Sequence, residues 1–280
     1  MPPASNSTLA LATGAGLAAS AALVRPWDEW LTSHHEHDEE FEREDGRGTL
    51  TLGSCRPTTL GQLARGAGSC LAFLAACDAL IARRARDDTA RYFVLHTLAN
   101  WVITVSSSGE MAAVLGDPVN SSLGKCNLLP TYMIPCLFGY HLSVFKNVPA
   151  EEWQHHIIFG LGLAGPGLRY CVGPVQNAIS FFMCGLPGGV DYAMLAAVKE
   201  GLMASSSEKV WNARLQVWCR APGILLSSYA VYLLSQYSKV RTPHKLLPYL
   251  LFLLAAFNGQ YYMQKVVANT AFKNHGQGAC

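Results

Sequence analysis

The stretch Val148–Met203 opens VPAEEWQHHIIFGLGLAGPG, passes Asn177 and Phe181-Phe182, breaks at Gly185-Leu-Pro-Gly-Gly189 and continues VDYAMLAAVKEGLM. Nearly every residue is apolar or small, yet His155, His156 and Asp191 sit inside it. An ionisable group in a long apolar run is costly unless it faces a polar interior or a watery cavity, which makes it a functional-site hypothesis. The stretch therefore reads as part of an all-α polytopic membrane protein with a polar interior.

Composition agrees. Half of the 280 residues are hydrophobic and only 14% are charged, against about 25% in ordinary soluble domains. The net charge of +2 comes without a basic stripe interleaved with aromatics, which argues against nucleic acid as a partner. The nine cysteines are scattered without a C-x-x-C pair, so neither a disulfide framework nor a zinc site is expected. No cofactor and no metal is implied.

Working outward, Pro149, Glu151 and Glu152 suit a helix start, and the spacing predicts a helix over 151–170 whose Gly160, Gly162, Ala164 and Gly165 permit close helix contact. The preceding run 128–145 reads as a helix kinked at Pro130 and Pro135. Further upstream lie the segments 92–105 and 66–81, joined by a connector rich in arginine (Arg83, Arg84, Arg86, Arg91), which biases that loop to the cytoplasm. Residues 106–127 read as a polar loop holding Asn120-Ser-Ser, a glycosylation acceptor if it faces a lumen. Downstream, 175–203 forms a helix bent at 186–189, and 204–220 a second basic loop. Two spans follow, 224–234 and 246–263, with Lys239, Arg241 and Lys245 between them.

At the N-terminus, 9–24 is a short apolar run, either a membrane segment or a leader lacking the usual basic start. The block 25–46, with HHEHDEEFERED, reads as a solvated acidic loop. The expected organisation is an N-terminal region (1–65), an extra helix with its basic loop (66–90), a membrane domain (91–266) and a polar tail (267–280).

His141 and His155 each lie seven residues from Val148. In an antiparallel helical hairpin they share one depth, roughly 10 Å from the turn at about 1.5 Å per residue. His141, His155 and His156 can thus converge, either as acid–base groups or as interfacial histidines beside Trp153. Asp191 needs a partner, and an imidazole of the neighbouring helix is the expected one; a carboxylate orienting an imidazole is a recurring base arrangement. A hydrogen bond to backbone freed at Pro187 would serve equally. A di-iron hydroxylase needs more clustered histidines, a serine hydrolase needs G-x-S-x-G, and the glycines after Phe159 follow no strand as a nucleotide loop would.

Several of these pieces, taken in order, resemble the TLC domain, the membrane fold shared by ceramide synthases and translocation-associated membrane proteins. They are R-Y-F-x-x-H (Arg91–His96), Tyr140-His141, E-W-Q-H-H (Glu152–His156), Asn177, G-L-P-G-G-V-D-Y (Gly185–Tyr192), Lys199, and W-x-R-A-P-G (Trp218–Gly223). The resemblance spans about 91–266 and implies a six-helix barrel around a lipid cavity, with one or two extra N-terminal helices. It implies His155, His156 and Asp191 as catalytic positions of an acyl-transfer centre, and His96, His141, Asn177 and Arg220 as cavity or structural polar groups. Ceramide synthases carry a second, earlier Asp; its position here falls in Leu186-Pro-Gly-Gly189 and has no acid. The expected function is therefore to bind, sense or move a membrane lipid, or to tune lipid composition, in the endoplasmic reticulum or another endomembrane. A lipid acyltransferase using acyl-CoA and a non-catalytic assembly subunit are the alternatives.

Overall fold

The computed structural model describes Trp27 and residues 60–121, 126–146, 150–166, 173–237 and 246–277. The expectations for 9–24, for the acidic block and for the basic connector 239–245 lie outside them. Every regular element among the described residues is helical.

The first helix, α1 (Leu60–Ile81), is followed by α2 (Asp88–Gly116) and α3 (Leu129–Val144). Next comes α4, which starts as Ala150–His155 and widens to π-type turns over His156–Ala164. Helix α5 runs through Pro174–Ser180, a π-type turn at Phe181–Gly185, and Leu186–Lys199. Helix α6 repeats the design with Ser205–Leu215, a π-type turn at Gln216–Arg220, and Ala221–Tyr237. The last helix, α7, covers Leu247–Gln277. Among the described residues three helices are long and apolar enough to cross a membrane: Leu60–Ile81, Pro174–Lys199 and Ser205–Leu234. Their bare faces carry large apolar side chains that water would reject, including Leu71, Leu80, Trp218 and Leu226, a distribution suited to lipid contact.

Three expectations need correction. Residues 106–116 are helix, not loop, because the serines there do not demand water. Ser106 and Ser107, both buried, donate back to Val102 O at 2.7 Å and Ile103 O at 2.5 Å, which satisfies a hydroxyl inside a helix. Residues 205–220 are also helix, joined to α5 by a short turn. Their polar residues fall four apart at Glu208, Asn212 and Gln216, on one buried stripe, so polarity there marks a face rather than a loop. Helix α7 likewise continues past Val266 into the residues expected as a tail.

At the C-terminal end of α2, Asp117 accepts from Asn120 Nδ2 at 2.8 Å and Asn120 N at 3.1 Å, which holds its carboxyl below the usual range. At the other end, Asp87 caps α2 by accepting from Ala90 N at 2.8 Å, a standard way to satisfy a free first-turn amide. Arg86, in the basic connector, donates to Lys199 O at 3.4 Å and sits against Glu200. The connector and the α5–α6 turn therefore share one side of the molecule.

Neighbours run in a closed order: α2 packs on α3, α3 on α4, α4 on α7, α7 on α6, α6 on α5, and α5 on α2, while α1 packs outside on α2 and α3. The α1–α3 seam holds Cys70, Leu74, Leu95, Val102, Leu129, Tyr132 and Met133. A second apolar cluster joins Val114, Val175, Ala178, Ala230 and Val231 between α2, α5 and α6.

The expected break at 186–189 is not there: the irregularity of α5 is the π-type turn ending at Gly185, where ψ is -105°, and Gly188 and Gly189 are ordinary helix with negative φ. Their smallness serves packing instead: a methyl on Gly188 would stand 2.7 Å from Asn100 Nδ2. The glycines of α5 that need their backbone freedom are at its two ends: Gly173, at φ 72°, and Gly201, at φ 73°, where Leu202 N donates to Ala197 O at 2.8 Å and closes the helix, the pattern of a left-handed C-cap. Alanine at Gly201 or Gly188 is expected to cost about 1–2 kcal/mol, by strain at Gly201 and by crowding at Gly188. Gly201→Asn should recover most of the loss because Asn tolerates positive φ, whereas Gly188→Asn should be worse than Gly188→Ala. Thermal unfolding in detergent measures all four; equal behaviour of the two asparagines would refute the distinction.

Candidate functional site

A cavity of about 520 Å³ opens inside the ring of α2–α7. Its wall takes His96 and Asn100 from α2, Phe138 from α3, His155 and His156 from α4, Asp191 from α5, Arg220 from α6 and Tyr262 from α7. All three π-type turns reach it, through His156 and Phe159, Met183 and Cys184, and Arg220. A π-type turn inserts one residue into a helix and re-aims its side chains, and such turns concentrate at functional sites. The cavity volume lies in the range of small-molecule sites, roughly 300–1,000 Å³. A narrower apolar lobe of about 100 Å³ adjoins it, lined by Leu163, Ile179, Val231 and Leu251. The two spaces share Phe138, His155, Phe159, Met183, Cys184 and Arg220.

The histidines form a file. His96 and His141 rings lie 5.0 Å apart between centroids, His141 and His156 4.5 Å, and His156 and His155 5.3 Å. Convergence of the imidazoles is thus as expected, but His141 meets His156, not His155, as its immediate neighbour. His141 is fully buried behind the wall, with its ring against those of His96 and His156. His96 donates from Nδ1 to Tyr92 O at 2.8 Å, which leaves Nε2 as the acceptor nitrogen. His155 shares a hydrogen bond of 2.8 Å through Nδ1 with the Tyr262 hydroxyl. No group of three or more His, Cys, Asp or Glu among the described residues has metal-holding geometry.

Asp191 lines the same cavity but is not held by a histidine. Its Oδ1 accepts from Asn212 Nδ2 at 2.8 Å. Asn212 also reaches Glu208 Oε1 at 3.4 Å and accepts from Gln216 Nε2 at 3.2 Å. Glu208, buried, carries its own cation in Lys209 at 3.1 Å. One face of α6 thus presents Glu208, Asn212, Gln216 and Arg220 at successive four-residue steps, and its second member takes the carboxylate of α5. This ladder lay unread in the sequence because the stretch looked like a loop; the four-residue spacing is the signal that finds it. Asn100 is likewise marked by its spacing, one helical turn beyond His96.

Asn177 stands apart from the cavity. Its amide donates to Asn127 O at 2.7 Å and to Glu110, whose other oxygen accepts from Asn127 N at 2.6 Å. Asn127 Oδ1 in turn caps α3 at Leu129 N, 2.8 Å. Asn177 is a structural knot between α2, α3 and α5.

Chemically, the enclosure offers imidazole nitrogens, one carboxylate and one guanidinium against an apolar lobe. No family model, curated protein or solved structure matches this chain.

Proposed function

We propose that the chain is an integral membrane protein of TLC type, resident in the endoplasmic reticulum or another endomembrane, whose six-helix barrel binds, senses or moves a membrane lipid. The observation that carries the reading is the amphipathic enclosure. Its polar part holds His96, His155, His156, Asp191 and Arg220, and an apolar lobe continues from it past Phe138, Phe159 and Met183. An amphiphile has this division of chemistry, with a head that needs hydrogen bonds and a tail that needs none. The closed order of helix neighbours is what a barrel of this type would have. Acyl transfer from acyl-CoA is the second reading, favoured by the hydrogen bond that fixes the His155 ring against Tyr262 and orients its other nitrogen. In that chemistry His155 or His156 acts as base.

Mass spectrometry of lipids that copurify with the intact protein tests the first reading. Cys184→Trp, placed where the polar cavity and the apolar lobe meet, should reduce retained lipid about tenfold, the effect of roughly 1.4 kcal/mol, with helicity unchanged. Undiminished lipid in this variant would refute the cavity as the binding place. Product formation dependent on acyl-CoA would select the second reading, and a lipid-free protein would leave the assembly-subunit alternative.

A further inference from the structure

The lining of the cavity carries a guanidinium that no carboxylate contacts, and its positive side chains, Arg220 and Lys265, outnumber its one carboxylate, Asp191. Arg220 lies where the polar cavity and the apolar lobe join. Its Nε is buried and has no hydrogen-bond partner, and the guanidinium lies 5.7 Å from the centre of the Tyr262 ring. Among the described residues Arg220 makes no ion pair within contact distance; Asp191, in the same enclosure, acts on it only through space, and its Oδ1 accepts from Asn212 at 2.8 Å. Lys265, over the Tyr261 ring at 5.4 Å, adds a second positive side chain to the wall. Within a membrane an arginine is expensive unless something anionic meets it, and its planar fork of donors fits the paired oxygens of a phosphate or carboxylate.

Resting on the lipid-binding reading above, we infer that the ligand is an anionic amphiphile, a lipid phosphate or a fatty carboxylate, with its acidic group on Arg220 and the first part of its tail in the apolar lobe. The Tyr262 ring backs the guanidinium on one side. That ring also touches His155, 5.1 Å between centroids, so the headgroup would rest beside the imidazole file. Lys265 supplies long-range attraction to the same charge.

The test uses the full chain, purified and stripped of lipid, with three probes: dioleoyl phosphatidic acid, dioleoylglycerol with the same tails but no charge, and inorganic phosphate alone. The expected result is retention of phosphatidic acid about tenfold above dioleoylglycerol by native mass spectrometry, the preference that roughly 1.4 kcal/mol gives. Arg220→Gln should bring the two within about twofold while dioleoylglycerol still binds, and Arg220→Lys should keep an intermediate preference. Lys265→Gln, at a surface-reaching side chain, should weaken the preference without abolishing it, and serves if Arg220→Gln does not fold. Equal binding of the charged and uncharged lipids by the unaltered protein would overturn the inference and leave lipid binding standing. An unchanged preference in both folded variants would also overturn it. Protection by inorganic phosphate equal to that by phosphatidic acid would assign the anion site to a soluble ligand and overturn the lipid assignment. Failure of every lipid probe would remove lipid binding and this inference together.

Discussion

Asp78→Asn should lower the stability of the folded protein more than any other single polar change outside the cavity, by about 3–5 kcal/mol. Asp78 lies in apolar α1 with 4% of its side chain exposed, and Arg91 from the start of α2 grips it with two parallel bonds, Nε to Oδ1 at 2.6 Å and Nη2 to Oδ2 at 2.5 Å. Tyr140 of α3 donates to Oδ2 at 2.8 Å. Three helices meet on one carboxylate, and the amide that replaces it cannot neutralise the guanidinium left behind. That residual charge, more than the lost attraction, sets the size of the effect. The same arginine also touches Asp88 at 3.4 Å, but the Asp88 side chain is 87% exposed, so Asp88→Asn should change little. Thermal unfolding in detergent should therefore separate the two substitutions by about 10 °C, at roughly 2–4 °C per kcal/mol for a chain near this size. A shift for Asp78→Asn no larger than that for Asp88→Asn would show that the pair does not fasten α1 to the rest.

That fastening could not be read from the sequence, which offered Asp78 only as an interruption in an apolar run and Arg91 as one of four loop arginines. The helices themselves were legible where apolar runs are long, as in 66–81 and 128–145. They were misread at 106–116 and 205–220, where the buried polar groups are dense enough to look like a loop. Ser106 and Ser107 return their hydroxyls to their own backbone, and Glu208, Asn212 and Gln216 bond along and across α6. Such partners are invisible in a hydropathy reading, which takes polar text for solvated text. Of the seven residues singled out, His96, His155, His156, Asp191 and Arg220 line one cavity, while His141 lies behind its wall and Asn177 stands apart. The pairings within the site were not legible, because they depend on how far each helix is rotated, and the π-type turns at His156–Ala164, Phe181–Gly185 and Gln216–Arg220 alter that rotation.

The pairing at Asp191 provides the other large effect, measured as a coupling rather than a loss. Groups in direct contact show interaction energies of about 0.5–3 kcal/mol in double-mutant cycles, while groups without shared partners add within about 0.5 kcal/mol. Asp191→Asn combined with Asn212→Ala should lie in the first class, because the amide of Asn212 donates straight to the carboxylate. Each single change also disturbs Gln216 and Glu208 through the shared ladder, which should place the coupling in the upper half of that range. Asp191→Asn combined with His156→Gln should lie in the second class for stability, because His156 contacts His141 and Phe138 and has no hydrogen bond to Asp191. Lipid retention can still respond to both, since both line the cavity, and there the two changes should multiply. A strong His156–Asp191 coupling in stability, with none between Asp191 and Asn212, would return the carboxylate to the imidazoles. It would also restore the His–Asp pair as the element around which an acyl-transfer mechanism is built.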